Sequence, residues 1–511
     1  MRRAWYRELL RRRIAVILLL VAQAAFIYYV VNSDGPVEDV LRMLLRLLSA
    51  VIVLHIISHR GKSANKVVWV FLILLFPVFG GAMYLLYHFQ SSTKRFQKAA
   101  ARVEHESKEL YLLPGNAYRQ AEQVVPGHIS QIRYLQKFAG FPIYGATNTR
   151  YFSPGEAFIE PFLEQLRKAE KYIFLEYFII EEGIVWNSIL DILREKAAQG
   201  VEVRLIYDDI GCFLTLPKNY KKQMQTYGIK CQVFNPFRPM LSVLQNNRDH
   251  RKITSVDGKV AFTGGLNLAD EYINAVRKYG YWKDSVIMLE GKAAWSLTLM
   301  FLEMWELCSG QKEHFEKFYP WEKTLCPVET QGLVQPYADS PMDNENVGEH
   351  VYIQMLNMAK DYVYITSPYL IVDDSMISAL CLAAKSGVDV RIITPHIWDK
   401  ALIHLTTRSY YQELIQGGVK IYEYSKGFIH AKTFVSDDET ATVGTTNLDF
   451  RSLYLHFECG VWMYGTDTVG KIRDDFLCTL NECHQVTLED CRGSLLRKAF
   501  QSLLRLFAPL L

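Results

Sequence analysis

The stretch from Lys171 to Asn267 recurs, in altered form, between Asp361 and Asn447. Lys171-Tyr-Ile-Phe-Leu-Glu-Tyr-Phe-Ile-Ile180 resembles Asp361-Tyr-Val-Tyr-Ile-Thr-Ser-Pro-Tyr-Leu370. Gly200-Val-Glu-Val-Arg-Leu-Ile-Tyr207 resembles Gly387-Val-Asp-Val-Arg-Ile-Ile-Thr394, and Gly228-Ile-Lys-Cys-Gln-Val233 resembles Gly418-Val-Lys-Ile-Tyr-Glu423. Helical stretches, Trp186–Gln199 and Asp374–Ser386, separate the first two strands of each copy. Each half therefore reads strand, helix, strand, helix, strand, hairpin. Apolar, β-branched runs alternating with helices imply parallel strands covered on both faces. A duplication of this size restricts the chain to two similar α/β units.

Each half ends on one short pattern, H-x-K-x-x-x-x-D: His250, Lys252 and Asp257, then His430, Lys432 and Asp437. Matching residues follow each copy, Gly264 and Asn267 in the first and Gly444 and Asn447 in the second. One copy is a weak signal; two with the same downstream offsets are a strong one. Read as a strand from His250 to Val256, the first copy points His250 and Lys252 to one face. Neutral imidazole is a competent nucleophile toward phosphorus, and an ammonium two residues on is a point charge for a phosphate oxygen. Val260–Thr263 reads as the hairpin partner, and Gly264-Gly265 permits close backbone approach. Asn267 offers an amide to a second oxygen. The second copy repeats this with a strand from Phe428 to Val435, a return strand from Ala441 to Gly444, and Asn447. Asp257 and Asp437 complete the motif set as structural members at the turns. Two copies facing each other make a complete mechanism: one histidine attacks phosphorus, and the other protonates the leaving alkoxide and then deprotonates the incoming alcohol. Lys252, Asn267, Lys432 and Asn447 neutralise the phosphoryl oxygens. This chemistry calls for no metal and no cofactor.

Acids are expected to orient the histidines as in a triad. Glu458 follows His430 on the predicted strand His456–Met463, and Asp284 follows His250 at the start of the predicted strand Ser285–Leu289. The first and third strands repeat with a shift of 190 residues (Lys171 to Asp361, Gly228 to Gly418), but the motifs with a shift of 180 (His250 to His430). The first half thus carries about ten extra residues before His250. They are Pro236–Gln245, an apolar loop suited to a lipid tail or headgroup, or a plain connection.

The N-terminus is apolar. Ile14–Val31 is a run of 18 residues and Val67–Tyr87 one of 21, each near the length that spans a bilayer. Leu44–Ile57 lies between them and is shorter. A cleaved signal peptide is the rival reading for the first run, and an uncleaved anchor is preferred. Arg2, Arg3, Arg7, Arg11, Arg12 and Arg13 put the N-terminus in the cytoplasm, as Lys94, Arg95, Lys98 and Arg102 do for the segment after the last run. Both ends inside requires an even number of crossings, so one run lies in the interface or is re-entrant. Nine cysteines without C-x-x-C pairing disfavour a disulfide framework or zinc site. Leu496, Phe500, Leu503 and Phe507 fall on one face of a C-terminal helix, for a lipid surface or for the protein's own core. The net charge of +3 carries no nucleic-acid footprint.

The paired motifs, with Thr263-Gly-Gly-Leu-Asn267 and Gly444-Thr-Thr-Asn447, resemble the phospholipase D superfamily. Leu175-Glu-Tyr-Phe-Ile179, Ile206-Tyr-Asp-Asp209, Phe234-Asn-Pro-Phe-Arg-Pro239, Asn247-Arg-Asp-His-Arg-Lys252 and Phe76-Pro-Val-Phe-Gly80 are similar to its bacterial cardiolipin synthases. The resemblance implies two fused, pseudo-twofold-related mixed-sheet domains flanked by helices and preceded by membrane helices. The expected segments are a membrane anchor at 1–89, a charged helical linker at 90–140, catalytic domains at 141–325 and 326–490, and an amphipathic helix at 491–511. It also implies transfer of a phosphatidyl group from one phosphatidylglycerol to another through a phosphohistidine, releasing glycerol. His250 then matches the usual nucleophile and His430 the general acid/base. Thr445 stands where the first half has Gly265, and its hydroxyl is read as a further phosphate ligand. The implied location is the cell membrane, multi-pass, with the catalytic domains cytoplasmic. Membrane lipids are the expected partners, nucleic acid is not, and the oligomeric state stays open. Hydrolysis by water, transfer to another alcohol, a membrane-bound nuclease and a non-catalytic scaffold are the alternatives.

Overall fold

The computed structural model describes residues 35–59, 62–76, 80–81, 83–85, 91–112, 117–237, 243–320, 332–343 and 345–510. They form two compact units. One gathers the residues up to Phe96, Phe237–Asn246 and the chain from Ser502; the other holds Gln97–Pro236 and Asn247–Gln501.

In the larger unit each half builds a mixed sheet. The first runs, edge to edge, Thr147–Phe152, Val286–Gly291, Val260–Gly264, Ile253–Val256, Tyr172–Tyr177, Glu202–Asp208 and Lys230–Phe234. Tyr172–Tyr177, Glu202–Asp208 and Lys230–Phe234 are parallel neighbours, and the remaining pairs are antiparallel. The second repeats this order with Leu333–Asp339, His456–Tyr464, Thr440–Gly444, Thr433–Ser436, Tyr362–Thr366, Asp389–Pro395 and Lys420–Tyr424, then adds Cys483–Gln485 at the edge. The predicted helices form as Ile184–Ala198 and Asp374–Lys385. Buried apolar residues of the first sheet and its helices, among them Phe162, Ile173, Trp186, Ile189 and Leu205, make that half's core.

One expectation fails in a way that makes the site. Neither motif lies on a continuous strand. Arg248–Asp249 and Ile253–Val256 are separate strands, as are Gly427–Ile429 and Thr433–Ser436. Ahead of each histidine the chain leaves its own sheet and pairs with the other half. Arg248–Asp249 runs parallel to His456–Phe457, and Gly427–Ile429 parallel to Tyr281–Lys283. The histidine amides continue both exchanges, His250 N–H to the Phe457 carbonyl at 3.0 Å and His430 N–H to that of Lys283 at 2.7 Å. Backbone bonds left unmade in one half are thus made in the other.

The smaller unit contains the helices Pro36–Ser58 and Ser63–Leu75, joined through buried Ile52, Ile56, Ile73 and Tyr84. The second helix stops one turn short of the Gly80 backbone. A side chain at Gly80 would meet the Leu72 carbonyl at 2.6 Å. The run Leu44–Ile57 is part of the first helix, which leaves Met43, Leu44, Leu47, Val51, Leu54 and Ile57 exposed. No helix among the described residues is long and apolar enough to cross a membrane. The run Ile14–Val31 and the middle of the loop Pro236–Gln245 lie outside the described residues. The C-terminal helix spans Leu495–Phe507, with Leu495, Leu496, Phe500 and Leu503 exposed, Leu504 buried, and Phe507 edge-on to Phe71 at 6.1 Å.

Candidate active site

Both motif histidines are buried, each 7% exposed. Their orienting acids come from the opposite half, not from the half each was expected to serve. His250 Nδ1 lies 2.9 Å from Glu458 Oε1, and His430 Nδ1 lies 2.8 Å from Asp284 Oδ2. The strand exchange is the cause. His456 and Phe457 pair with Arg248 and Asp249, which brings the face carrying Glu458 against His250.

The lysines fold back: Lys252 and Lys432 each donate to the carbonyl of their own motif histidine, and Lys432 Nζ is also 2.9 Å from His430 Nδ1. Burial drops the amine of Lys252 to about 8 and that of Lys432 to about 7. Burial, then Lys252, His456, Lys432 and His430, hold His250 well below the usual imidazole range. His430 falls to about 4 through burial and Lys432, with Asp284 pulling the other way. The acids diverge. Burial pushes Glu458 up to about 8, whereas for Asp284 the burial penalty is outweighed by His430 and Lys432, leaving it below its ordinary value. His250 and Glu458 share a hydrogen bond, and both shifts favour the forms without charge.

The asparagines are anchored. Asn267 accepts from Ile179 N–H at 3.0 Å and donates to the Tyr272 hydroxyl at 2.7 Å. Asn447 donates to Asp449 at 3.2 Å. Each amide keeps a second N–H for a phosphate oxygen. Thr445 is not aimed at a phosphate: its hydroxyl bonds Glu458 Oε2, donates to the Cys459 carbonyl at 3.1 Å and accepts that residue's N–H at 2.9 Å. The matching Gly265 has no room for a side chain, since a Cβ there would meet Asp284 Oδ1 at 2.1 Å. The short acid sits against a glycine and the long acid against a threonine.

Asp257 and Asp437 stand at the far ends of their hairpins, seven residues beyond the histidines and roughly 20 Å along an extended chain. Asp257 accepts the backbone N–H groups of Glu170, Lys171 and Tyr172, all at 2.8 Å. Asp437 accepts those of Lys360, Asp361 and Tyr362 at 2.8–3.0 Å. Both hold the start of a central strand, and neither reaches the histidines.

Two supporting groups escaped the sequence reading. Arg248 donates through Nε and Nη2 to buried Asp208, at 2.9 Å from each group, fixing the exchanged strand two residues before His250. Arg251 points away from the site and donates from Nε to Glu176 at 2.7 Å. Arg251 and Phe457, each alternating with site residues, line a cavity of about 270 Å³ with Glu303, Asp339 and Tyr111. That cavity opens on the opposite face of the strands and includes neither histidine. Asp208 and Arg248 both stand in stretches that resemble the family, Ile206-Tyr-Asp-Asp209 and Asn247-Arg-Asp-His-Arg-Lys252, but neither stretch by itself pairs the two.

His250, His456 and Glu458 have donor atoms within 4.8 Å of one another, the one metal-like spacing among the described residues. Arg451 Nε donates to His456 Nε2 at 3.4 Å. The His456 proton therefore sits on Nδ1, which presents a donor and not a lone pair. The cluster is a hydrogen-bonding set and does not fit a metal.

Comparison with known proteins places these halves. The family model described as "Cardiolipin synthase, PLD-like domain" matches residues 162–293 and 352–479, and "Phospholipase_D-nuclease N-terminal" matches 47–87. A cardiolipin synthase from a Geobacillus species is 34% identical over 508 residues, covering 98% of this chain and 100% of its own. Cardiolipin synthase 2 of Bacillus anthracis is 34% identical, over 91% of this chain and 90% of its own. A crystal structure of phosphatidylserine synthase from Haemophilus influenzae overlays 74% of this chain and 97% of its own with a TM-score of 0.57 at 15% identity, a likeness of fold.

Proposed function

The chain belongs to the cardiolipin synthase family of phospholipase D-like proteins, and we infer that it is a phosphatidyltransferase making cardiolipin, with phosphatidylglycerol as both donor and acceptor. The observation that carries this reading is the single buried site in which each histidine is held by the other half's acid. In the first step His250 Nε2 attacks phosphorus, a P–N bond forms, and the P–O bond to glycerol breaks. His430 gives the departing oxygen its proton. In the second step His430 takes the proton of a second phosphatidylglycerol's primary hydroxyl. That oxygen attacks phosphorus, the P–N bond breaks, and cardiolipin leaves. Lys252 and Lys432 turn from their present partners, and Asn267 and Asn447 offer their second N–H groups, to the phosphoryl oxygens, where charge builds up.

The unequal acids support this order. Asp284, held ionised, suits a histidine that must carry a proton to the leaving group; Glu458, harder to ionise, does not hold a proton on His250 at rest, which leaves that imidazole neutral, and it gives up its own proton as the P–N bond forms. In this reading residues 1–89 anchor the chain in the cell membrane, 90–140 connect, 141–325 and 326–490 form the two catalytic halves on the cytoplasmic face, and 491–511 add an interfacial helix. Incubation of the purified protein in phosphatidylglycerol micelles should yield cardiolipin and free glycerol in equal amounts. Phosphatidic acid as the sole lipid product would make it a hydrolase.

A further inference from the structure

Two pseudo-equivalent positions flank the histidines and hold different residues. Trp282, in register with Phe428, packs its ring 5.3 Å from that of His430. His456, in register with Arg248, packs 5.6 Å from His250. The nucleophile candidate thus has a second histidine where its counterpart has an indole. His456 is nine-tenths buried. Burial, then Arg451, Lys252 and Arg248, hold it well below the usual imidazole range, so it is a neutral donor. Arg451 occupies Nε2 and fixes the proton on Nδ1. That N–H has no partner and lies 3.9 Å from Glu458 Oε1. A buried unpaired donor costs stability, and a state of the protein that uses it would account for its being kept.

Phosphorylation of His250 supplies such a state. Once Nε2 bonds phosphorus, the ring is cationic and its Nδ1–H needs an ionised Glu458. Around that carboxyl stand His250 and Lys252 from the first motif, Lys432 from the second, Thr445 on the neighbouring strand, and Asp449 and Arg451 from the segment before its own strand. A closure of about 1 Å would bring His456 Nδ1 into hydrogen-bond range of Oε1. We propose that His456 is a positioning residue that donates its Nδ1–H to ionised Glu458 as His250 becomes phosphorylated, easing formation of the covalent intermediate. The proposal rests on His250 being the nucleophile, as read above.

The test measures the phosphatidyl–His250 adduct directly, by rapid quench and mass spectrometry of full-length protein in phosphatidylglycerol micelles across pH. Adduct formation requires the His250–Glu458 pair to have lost a proton, so its rate rises with pH. His456→Leu removes the donor and should move that rise upward by about one pH unit, with a roughly tenfold loss at neutral pH and little change in KM. His456→Asn offers an amide N–H from a side chain of similar size and should restore the wild-type curve. His456→Ala repeats the comparison should leucine impair folding. A curve unmoved in both donor-free variants overturns the proposal, as does equal loss in the Asn and Leu variants. Absence of any wild-type adduct would instead sink the proposed function, whereas an adduct that yields only phosphatidic acid would leave the role of His456 standing.

Discussion

His250 and His430 share one motif and one site, yet their surroundings assign them different work. His430 sits among Trp282, Tyr272 and Phe428 at 5.3–5.9 Å, above a short acid that is held ionised. His250 has Phe178, His456 and a longer acid that resists ionisation. A phosphatidyl ester of p-nitrophenol separates the roles, because that leaving group needs no proton. His430→Ala should still form the covalent adduct and release nitrophenol in a burst, while His250→Ala should release none. The reverse pattern would exchange the two assignments. The lysines give a second prediction. Their amines are lowered to about 8 and about 7 in the empty site, and an anionic phosphate beside them favours the charged forms. Binding of inorganic phosphate at pH 8 should therefore take up protons. Calorimetry in buffers of different ionisation enthalpy reads this directly, and a buffer-independent heat would contradict it.

At the level of elements, the two aspartates that complete the motifs are staples. Each gathers three backbone N–H groups at the start of a central strand, Asp257 at Tyr172 and Asp437 at Tyr362. Asp257→Ala should lower unfolding free energy by about 2–4 kcal/mol in urea while leaving the activity per folded molecule nearly intact. A stable but inactive variant would return Asp257 to the reaction. The same elements show where the sequence was readable. Alternation and turn residues located the hairpins, so Val260–Gly264 and Thr440–Gly444 fall where expected. The break ahead of each histidine was not readable. Arg248–Asp249 and Gly427–Ile429 are as apolar or polar as a continuous strand could be, and what interrupts them is a partner more than a hundred residues away. The swap of Asp284 and Glu458 has the same origin: proximity in sequence suggested one pairing, and strand exchange made the other. Thr445 was misjudged because its partner, Glu458, arrives only with the folded sheet.

At the scale of the whole molecule, duplication normally yields two domains that fold independently. Here each half lends a short strand to the other, and each histidine completes its pair with a foreign acid. Half a molecule leaves an imidazole unoriented and a buried carboxyl unpaired, a state that costs several kcal/mol. The halves should therefore open as one cooperative unit. Hydrogen exchange of the full chain tests this, with peptides covering Tyr172–Tyr177 and Tyr362–Thr366 as reporters of the two sheets. Both should show the same limiting opening free energy. Asp284→Ala, a change in the first half, should lower both by the same amount because its histidine partner belongs to the second. If protection falls in only one sheet, the halves are separate domains that merely touch, and the site must then assemble after folding and not during it.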